Sequence, residues 1–286
     1  MHEGLLLVVG SVGLGCIFGS FLNALSFRFN TGRGMGGRSR CMHCGHTLAA
    51  VDLVPVLSYV FLRGRCRYCE GHVSPQYPLV ELLAGLLSLG IFLQFSSVMG
   101  FFDGAAFLYQ PFLWFQCAYF LLIWLTILFI VVYDLRHQII PWSASLLLAA
   151  LTFGALFLSS LQNLPSFSVV VPSLWPLLAG PLLASPLFLI SLVSGGRWMG
   201  WGDSIFELSL GWLLGLTAGL TALMLSFWIG AAVGIALMLS AQRPLSFVVG
   251  RFTMNSEIPF APFLALGAVL AYFFHVNLFS TLPSLF

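Results

Sequence analysis

An all-α polytopic membrane protein with about eight transmembrane helices is the fold class this sequence predicts, and three observations predict it. Hydrophobic residues make up 59% of the 286 and charged residues only 7%, whereas a soluble domain carries about 25% charged residues. Apolar runs approaching or exceeding the roughly 20 residues needed to cross a bilayer recur near 5–27, 77–97, 112–133, 142–162, 172–194, 204–218, 221–240 and 260–281. All eleven basic residues are arginine, and with eight spans every one of them falls on the same face. Positive charge marks the cytoplasmic side, so this face is expected inside and both termini outside.

The first run lacks a basic n-region before it and an A-x-A site after it, so it reads as a retained span rather than a cleaved signal. Within it, Gly15 and Gly19 form a G-x-x-x-G pair, which permits close helix packing. Asn23 follows on the same side. It is either glue for a neighbouring helix or a contact in a polar site.

Residues 28–76 are the only sizeable polar segment. They contain Cys41-Met42-His43-Cys44 and Cys66-Arg67-Tyr68-Cys69, separated by 21 residues. Two C-x-x-C knuckles at this spacing match a four-thiolate zinc site made of Cys41, Cys44, Cys66 and Cys69. Two disulfides are the competing reading, and a reducing cytoplasmic face favours zinc. Four protein ligands leave no position for water, so the expected metal is structural and supplies folding free energy. His43, His46 and His72 could each replace a thiolate, but none is needed. Cys16 and Cys117 fall inside spans, where small apolar packing is the expected role.

Ser74 to Glu81 leads into the second span. Pro78 suits a first helical turn, and Glu81 either favours the helix N-terminus or reaches a polar pocket. Asp103 lies in an arginine-free outer connection and is expected to be solvated.

Asp134 ends the third span, in Tyr133-Asp134-Leu135-Arg136-His137-Gln138-Ile139-Ile140-Pro141. Asp203 opens the sixth, in Arg197-Trp198-Met199-Gly200-Trp201-Gly202-Asp203. An acid at the edge of lipid is expensive unless it is paired or working. The expected face is the same for both, so they are either interfacial acids or a catalytic pair that meets in space. Glycines before Asp203 allow close backbone approach. His137, in a loop beside an arginine, reads as solvated. The sixth span is short, and Gly215 to Gly219 forms a candidate tight turn into the seventh. The last polar loop, 241–259, ends Glu257-Ile258-Pro259-Phe260-Ala261-Pro262-Phe263, either an interfacial anchor or part of a site.

No H-E-x-x-H, G-x-G-x-x-G or G-x-x-x-x-G-K-[ST] pattern is present, and no Ser–His–Asp or Cys–His arrangement can be assembled. No standard nucleotide cradle is therefore visible, and no nucleic acid is an expected partner. A transporter would want polar groups near the bilayer centre and related halves, but here the acids sit at span ends and no internal repeat is seen.

Six motifs in this order resemble the prepilin peptidases, the leader peptidases and N-methyltransferases of type IV pili and type II secretion. They are Gly19-Ser20-Phe21-Leu22-Asn23, the two-knuckle segment, Tyr77-Pro78-Leu79-Val80-Glu81, the Asp134 stretch to Pro141, Gly200-Trp201-Gly202-Asp203, and Ile258 to Phe263. The resemblance implies a membrane aspartic peptidase of the G-x-G-D type with Asp134 and Asp203 catalytic. It further implies prepilin or pseudopilin substrates and S-adenosylmethionine as methyl donor, in a bacterial cytoplasmic membrane with the site and zinc segment facing the cytoplasm. Residues 1–100 would then be the methyltransferase region, with Asn23 and Glu81 as candidate donor-site residues, and 101–286 the peptidase domain. Two departures stand out. The family usually has lysine two residues after the second aspartate, where this chain has Ile205. Four residues after it the family is usually apolar or small, and this chain has Glu207. A homologue that only methylates, or a zinc-containing scaffold, is the alternative those departures raise.

Overall fold

The computed structural model describes residues 2–30, 37–98, 111–159, 173–241 and 259–279. Asp103, Glu257, Arg33, Arg243 and Arg251 lie outside the described residues. The architecture is helical: α1 (His2–Arg28), a short 3-10 turn (Ala50–Leu53), α2 (Leu57–Phe61), α3 (Gln76–Val98), α4 (Pro111–His137), α5 (Trp142–Ser159), α6 (Leu174–Ser194), α7 (Trp201–Ala241) and α8 (Ala261–Phe273). No strand occurs among the described residues; isolated bridges pair Arg40 with Thr47 and Arg65 with His72. Among the described residues, five helices are long and apolar enough to cross a membrane, and α5 and α8 add two shorter apolar ones.

The sixth and seventh apolar runs both lie in α7, which breaks at Gly215 (φ 77°, ψ 179°). The chain reverses there. A Cβ at Gly219 would come within 3.7 Å of Gly211 Cα, yet a continuous helix would separate those residues by about 12 Å along its axis. The turn expected between the two runs is therefore a helical hairpin, and each of the eight runs has its own helix or helical arm.

Two compact units divide the chain, Met1–Val132 and Tyr133–Phe286. In the first, α1 packs along α3 through its glycines. A Cβ at Gly15 would fall 2.5 Å from Ala84 O, and one at Gly19 2.7 Å from Glu81 Cα. The opposite face of α1 exposes Leu6, Val9, Ile17 and Phe21, as suits a helix that meets lipid. In the second unit, α7 packs against α5, α6 and α8. Gly180 and Gly211 bring α6 and α7 together, and Trp212 Nε1 donates to Leu177 O at 3.0 Å.

Candidate active site and metal centre

The polar segment is built from two copies of one turn. Cys41 N–H donates to His46 O and Gly45 N–H to Cys41 O; 25 positions later, Cys66 N–H donates to Gly71 O and Glu70 N–H to Cys66 O. The residue after each second cysteine has positive φ, Gly45 at 70° and Glu70 at 57°. Each knuckle thus aims two sulfurs to one side. The Sγ atoms of Cys41, Cys44, Cys66 and Cys69 all lie within 4.8 Å of one another, and no disulfide joins them. Cys41 and Cys69 are 3.8 Å apart, the edge expected of a tetrahedron with metal–sulfur bonds of about 2.3 Å. The donor set therefore fits a metal ion, and two disulfides are not the arrangement adopted. Hydrogen bonding from the Cys44 backbone lowers the Cys41 thiol to about 6, while burial and its sulfur neighbours push the Cys69 thiol up to about 12, as expected of sulfurs crowded together that hold protons between them.

The histidines lie aside from the sulfurs. His43 contacts His72 O at 3.2 Å, and His46 stacks on Tyr68 at 3.9 Å. Asp52 fastens the knuckles to the short turn. It accepts from Arg67 Nε at 2.7 Å, Tyr68 Oη at 3.2 Å and Ala49 N–H at 3.1 Å. Burial opposes its ionisation, but these donors prevail and hold the carboxyl below its ordinary value.

Glu81 belongs to α3 and reaches beyond its own helix. Its Oε2 accepts the Val56 N–H at 2.7 Å, which pins Val56 at φ 61°. The polar-pocket reading of Glu81 describes this better than a helix-end role does. Asn23, 1% exposed, donates through Nδ2 to Tyr77 O at 3.0 Å, while its Oδ1 has no partner. The sequence-level choice between glue and polar site is thus divided within one amide. Cys16 is half-buried against Gly85 of α3, and Cys117 is half-buried in α4.

Asp134 and Asp203 both belong to the second unit and both are buried. They lie close enough for the charge on one to act on the other. Asp134 sits in the last turn of α4, where its carboxyl accepts the backbone N–H of Ala261, the first residue of α8. That amide is one of the helix-end donors without an intrahelical partner. A short turn follows, closed by Gln138 N–H to Asp134 O at 2.7 Å, and it brings Ile140 against Gly202. A Cβ at Gly202 would stand 2.7 Å from Ile140 Cβ.

The turn before Asp203 is set by the end of α6. Gly195 takes a left-handed conformation (φ 60°, ψ 35°), and Gly196 N–H returns to Ser191 O at 2.8 Å, a glycine helix stop. Ser191 Oγ donates to Met199 O at 3.1 Å, Ser194 Oγ accepts the Trp198 N–H at 3.4 Å, and Arg197 Nε donates to Ser194 O at 3.2 Å. The Asp203 carboxyl accepts from the Gly200 backbone.

Three features went unseen in the sequence: the Ala261 amide, the two serines that hold the Gly200 turn, and the contact of Ile140 with Gly202. His137 also differs from the solvated loop residue expected. It ends α4, stacks on Tyr133 at 4.4 Å, and its Nε2 is buried.

These features define a polytopic helical membrane protein with a four-thiolate knuckle pair in one unit and two buried acids in the other. Residues 14–95 match the family model described as the bacterial peptidase A24 N-terminal domain. Relatives named prepilin leader peptidase/N-methyltransferase match over most of the chain. The one from Aeromonas hydrophila is 32% identical over 235 residues, 82% of this chain and 70% of the relative. That from Stutzerimonas stutzeri is 33% identical over 237 residues, again 82% and 70%, and that from Burkholderia pseudomallei strain K96243 is 33% identical over 239 residues, 83% and 67%. No solved structure matches at a significant level. The chain belongs to the prepilin leader peptidase/N-methyltransferase family.

Proposed function

We propose that this protein cleaves the basic leader from prepilins or pseudopilins with Asp134 and Asp203, then methylates the new N-terminal residue. The observation that supports the reading is the burial of both carboxyls in one helical unit, with Asp134 near enough to act electrostatically on Asp203. Two acids so placed do not both ionise readily, and one keeps a proton. The ionised member takes a proton from water as the water oxygen attacks the scissile carbonyl carbon. The protonated member donates a hydrogen bond to the carbonyl oxygen. Collapse of the tetrahedral intermediate breaks the C–N bond, and a carboxyl proton passes to the leaving amine. The pair titrates jointly, so the two roles belong to the dyad rather than to fixed residues.

Zinc is the metal that four thiolates suit, and held by four protein ligands it is structural. Methyl transfer belongs to residues 1–100 in this reading, with S-adenosylmethionine as donor. Asn23 is favoured there by its buried, unpartnered Oδ1, and Glu81 by its link to the knuckle segment; residues 101–286 carry proteolysis. The arginine distribution supports a cytoplasmic placement of the site and knuckles. A basic leader in the cytosol joined to an apolar helix in lipid would meet the aspartates at that edge.

The test incubates purified protein in detergent with a prepilin and labelled S-adenosylmethionine, beside Asp134→Ala and Asp203→Ala. The expected result is cleavage by wild type alone and label on the new N-terminus. Cleavage by either alanine variant at a comparable rate overturns the dyad. The burial of Glu207 one turn beyond Asp203 favours a second reading, an altered homologue that only methylates or serves as a scaffold. Labelling of an already processed pilin without cleavage of a prepilin identifies the first of these, and neither activity the second.

A further inference from the structure

The short helix α2 turns an apolar side outward. Leu57, Val60 and Phe61 follow i, i+3, i+4 spacing and share one side of it; all three are exposed, Phe61 to 81%. Tyr59 turns elsewhere, and a Cβ at Gly64 would stand 2.9 Å from its Oη. Large apolar side chains gathered on a polar segment mark a surface that something covers.

Two relations set the depth at which α2 lies. Val56, just before α2, donates its N–H to Glu81 Oε2 at 2.7 Å. Glu81 stands five residues after the start of α3 at Gln76, about 8 Å along its axis. On that helix Leu79, Leu82, Leu83 and Leu86 are exposed at i, i+3, i+4, i+7 spacing, a stripe that suits lipid. The stripe begins nearer the helix start than Glu81. Across from Glu81 stands Gly19 of α1, whose Cβ would fall 2.7 Å from the Glu81 Cα, and Phe18 and Phe21 beside it are exposed. Both spans thus present apolar side chains to their surroundings at the level to which Val56 is tied. Beyond α2 the chain turns back, with Arg63 N–H donating to Val60 O at 3.1 Å and Gly64 N–H to Tyr59 O at 2.9 Å. Arg63 and Arg65 follow, both exposed, and residues 57–69 contain no acid. Apolar side chains succeeded at once by arginines match the layering of a leaflet, acyl chains below phosphates.

We propose that α2 is an interfacial anchor: Leu57, Val60 and Phe61 insert among the acyl chains of the leaflet that α3 enters, and Arg63 and Arg65 meet the phosphates of anionic phospholipids. The knuckle segment is then held to the membrane by its own surface as well as by α1 and α3. The inference is independent of the aspartate pair.

The experiment places a diazirine-bearing phenylalanine at position 61 of the full chain, reconstituted in phosphatidylcholine vesicles with a minor share of phosphatidylglycerol. Light converts the diazirine to a carbene that inserts into whatever touches it, so phospholipid, water and protein leave different adducts in the mass spectrum. The same analogue at position 82 serves as the lipid reference. Phospholipid adducts should dominate at both positions. At position 61 phosphatidylglycerol should exceed its bulk share by about twofold or more, and Arg63→Gln with Arg65→Gln should return it towards that share. Mainly water adducts at position 61 overturn the proposal, and so do mainly protein crosslinks, which would identify a protein partner instead. A phosphatidylglycerol share equal to bulk, or unmoved by the arginine changes, overturns the role given to Arg63 and Arg65. Stoichiometric metal in each variant reports intact knuckles. If the double arginine variant loses it, Arg63→Gln alone is read the same way, and the adduct at position 61 decides insertion by itself.

Discussion

Gly202 lies against Ile140 so closely that a Cβ on the glycine would stand 2.7 Å from the isoleucine Cβ. The turn that follows Asp134 and the turn that carries Asp203 are thus in direct van der Waals register. The close approach of the two turns depends on a missing methyl group.

Gly202→Ala should push the two turns apart, because the opposing atom is a Cβ and cannot swing away. Overpacking of this kind costs about 1–3 kcal/mol. We expect prepilin cleavage to fall by tenfold or more while thermal unfolding in detergent shifts little. Adding Ile140→Gly should recover part of the rate, and methylation of a processed pilin should be insensitive to both changes.

Val56 holds a positive φ that a β-branched residue resists, at a cost of about 1–3 kcal/mol, and Glu81 supplies the hydrogen bond that keeps it there. Glu81→Ala should release the segment around α2, seen as faster limited proteolysis between Asp52 and Phe61. Val56→Gly in that background should restore protection in part, since glycine takes the conformation without strain.

Serine at Cys41 or Cys69 should abolish stoichiometric metal, measured by elemental analysis of the purified protein. Asp52→Asn should keep the metal but release it faster to a chelator, since the Arg67 and Tyr68 hydrogen bonds weaken. Arg67 is half-exposed, so the loss at neutral pH should be small. The sign with pH follows from the lowered Asp52 carboxyl. Its stabilisation is complete above the unfolded value of about 4 and is lost as the pH falls through the still lower folded one. The wild type and Asp52→Asn should therefore converge in strong acid.

Gly215 occupies a region of backbone space that is essentially reserved for glycine. Gly215→Ala should cost about 1–3 kcal/mol and lower the unfolding temperature in detergent. An alanine variant as stable as wild type would show that the hairpin between the sixth and seventh runs is not held by this dihedral.

How much of this was visible beforehand follows from the kind of signal each feature leaves. Apolar runs announce helices by length alone, and G-x-x-x-G at Gly15 and Gly19 announced a close helix packing without naming α3 as the partner. Cysteine spacing announced the four-sulfur cluster, because two knuckles can converge only if each presents both sulfurs from one turn. The Ala261 amide left no such trace: any residue but proline has a backbone N–H, and only Pro262 just behind it hinted at a helix start. Val56 pointed the wrong way, since a β-branched residue is a poor marker for a positive φ. Glu207 was visible as an anomaly, but its burial and lack of partners depend on three helices distant in sequence.

The hairpin at Gly215 has a consequence for the membrane itself. The arm from Trp201 to the break holds roughly 14 residues and rises about 21 Å at 1.5 Å per residue, against about 30 Å of hydrocarbon. The second arm, nearly twice as long, spans that thickness with length to spare. A short arm beside a long one creates hydrophobic mismatch, relieved by local thinning of the bilayer or by an end that sits below the headgroups. Either response falls on the arm that begins two residues before Asp203. Peptide hydrolysis consumes a water molecule, and a thinned or dimpled bilayer at that arm shortens the path by which water reaches an acid that lipid would otherwise keep dry.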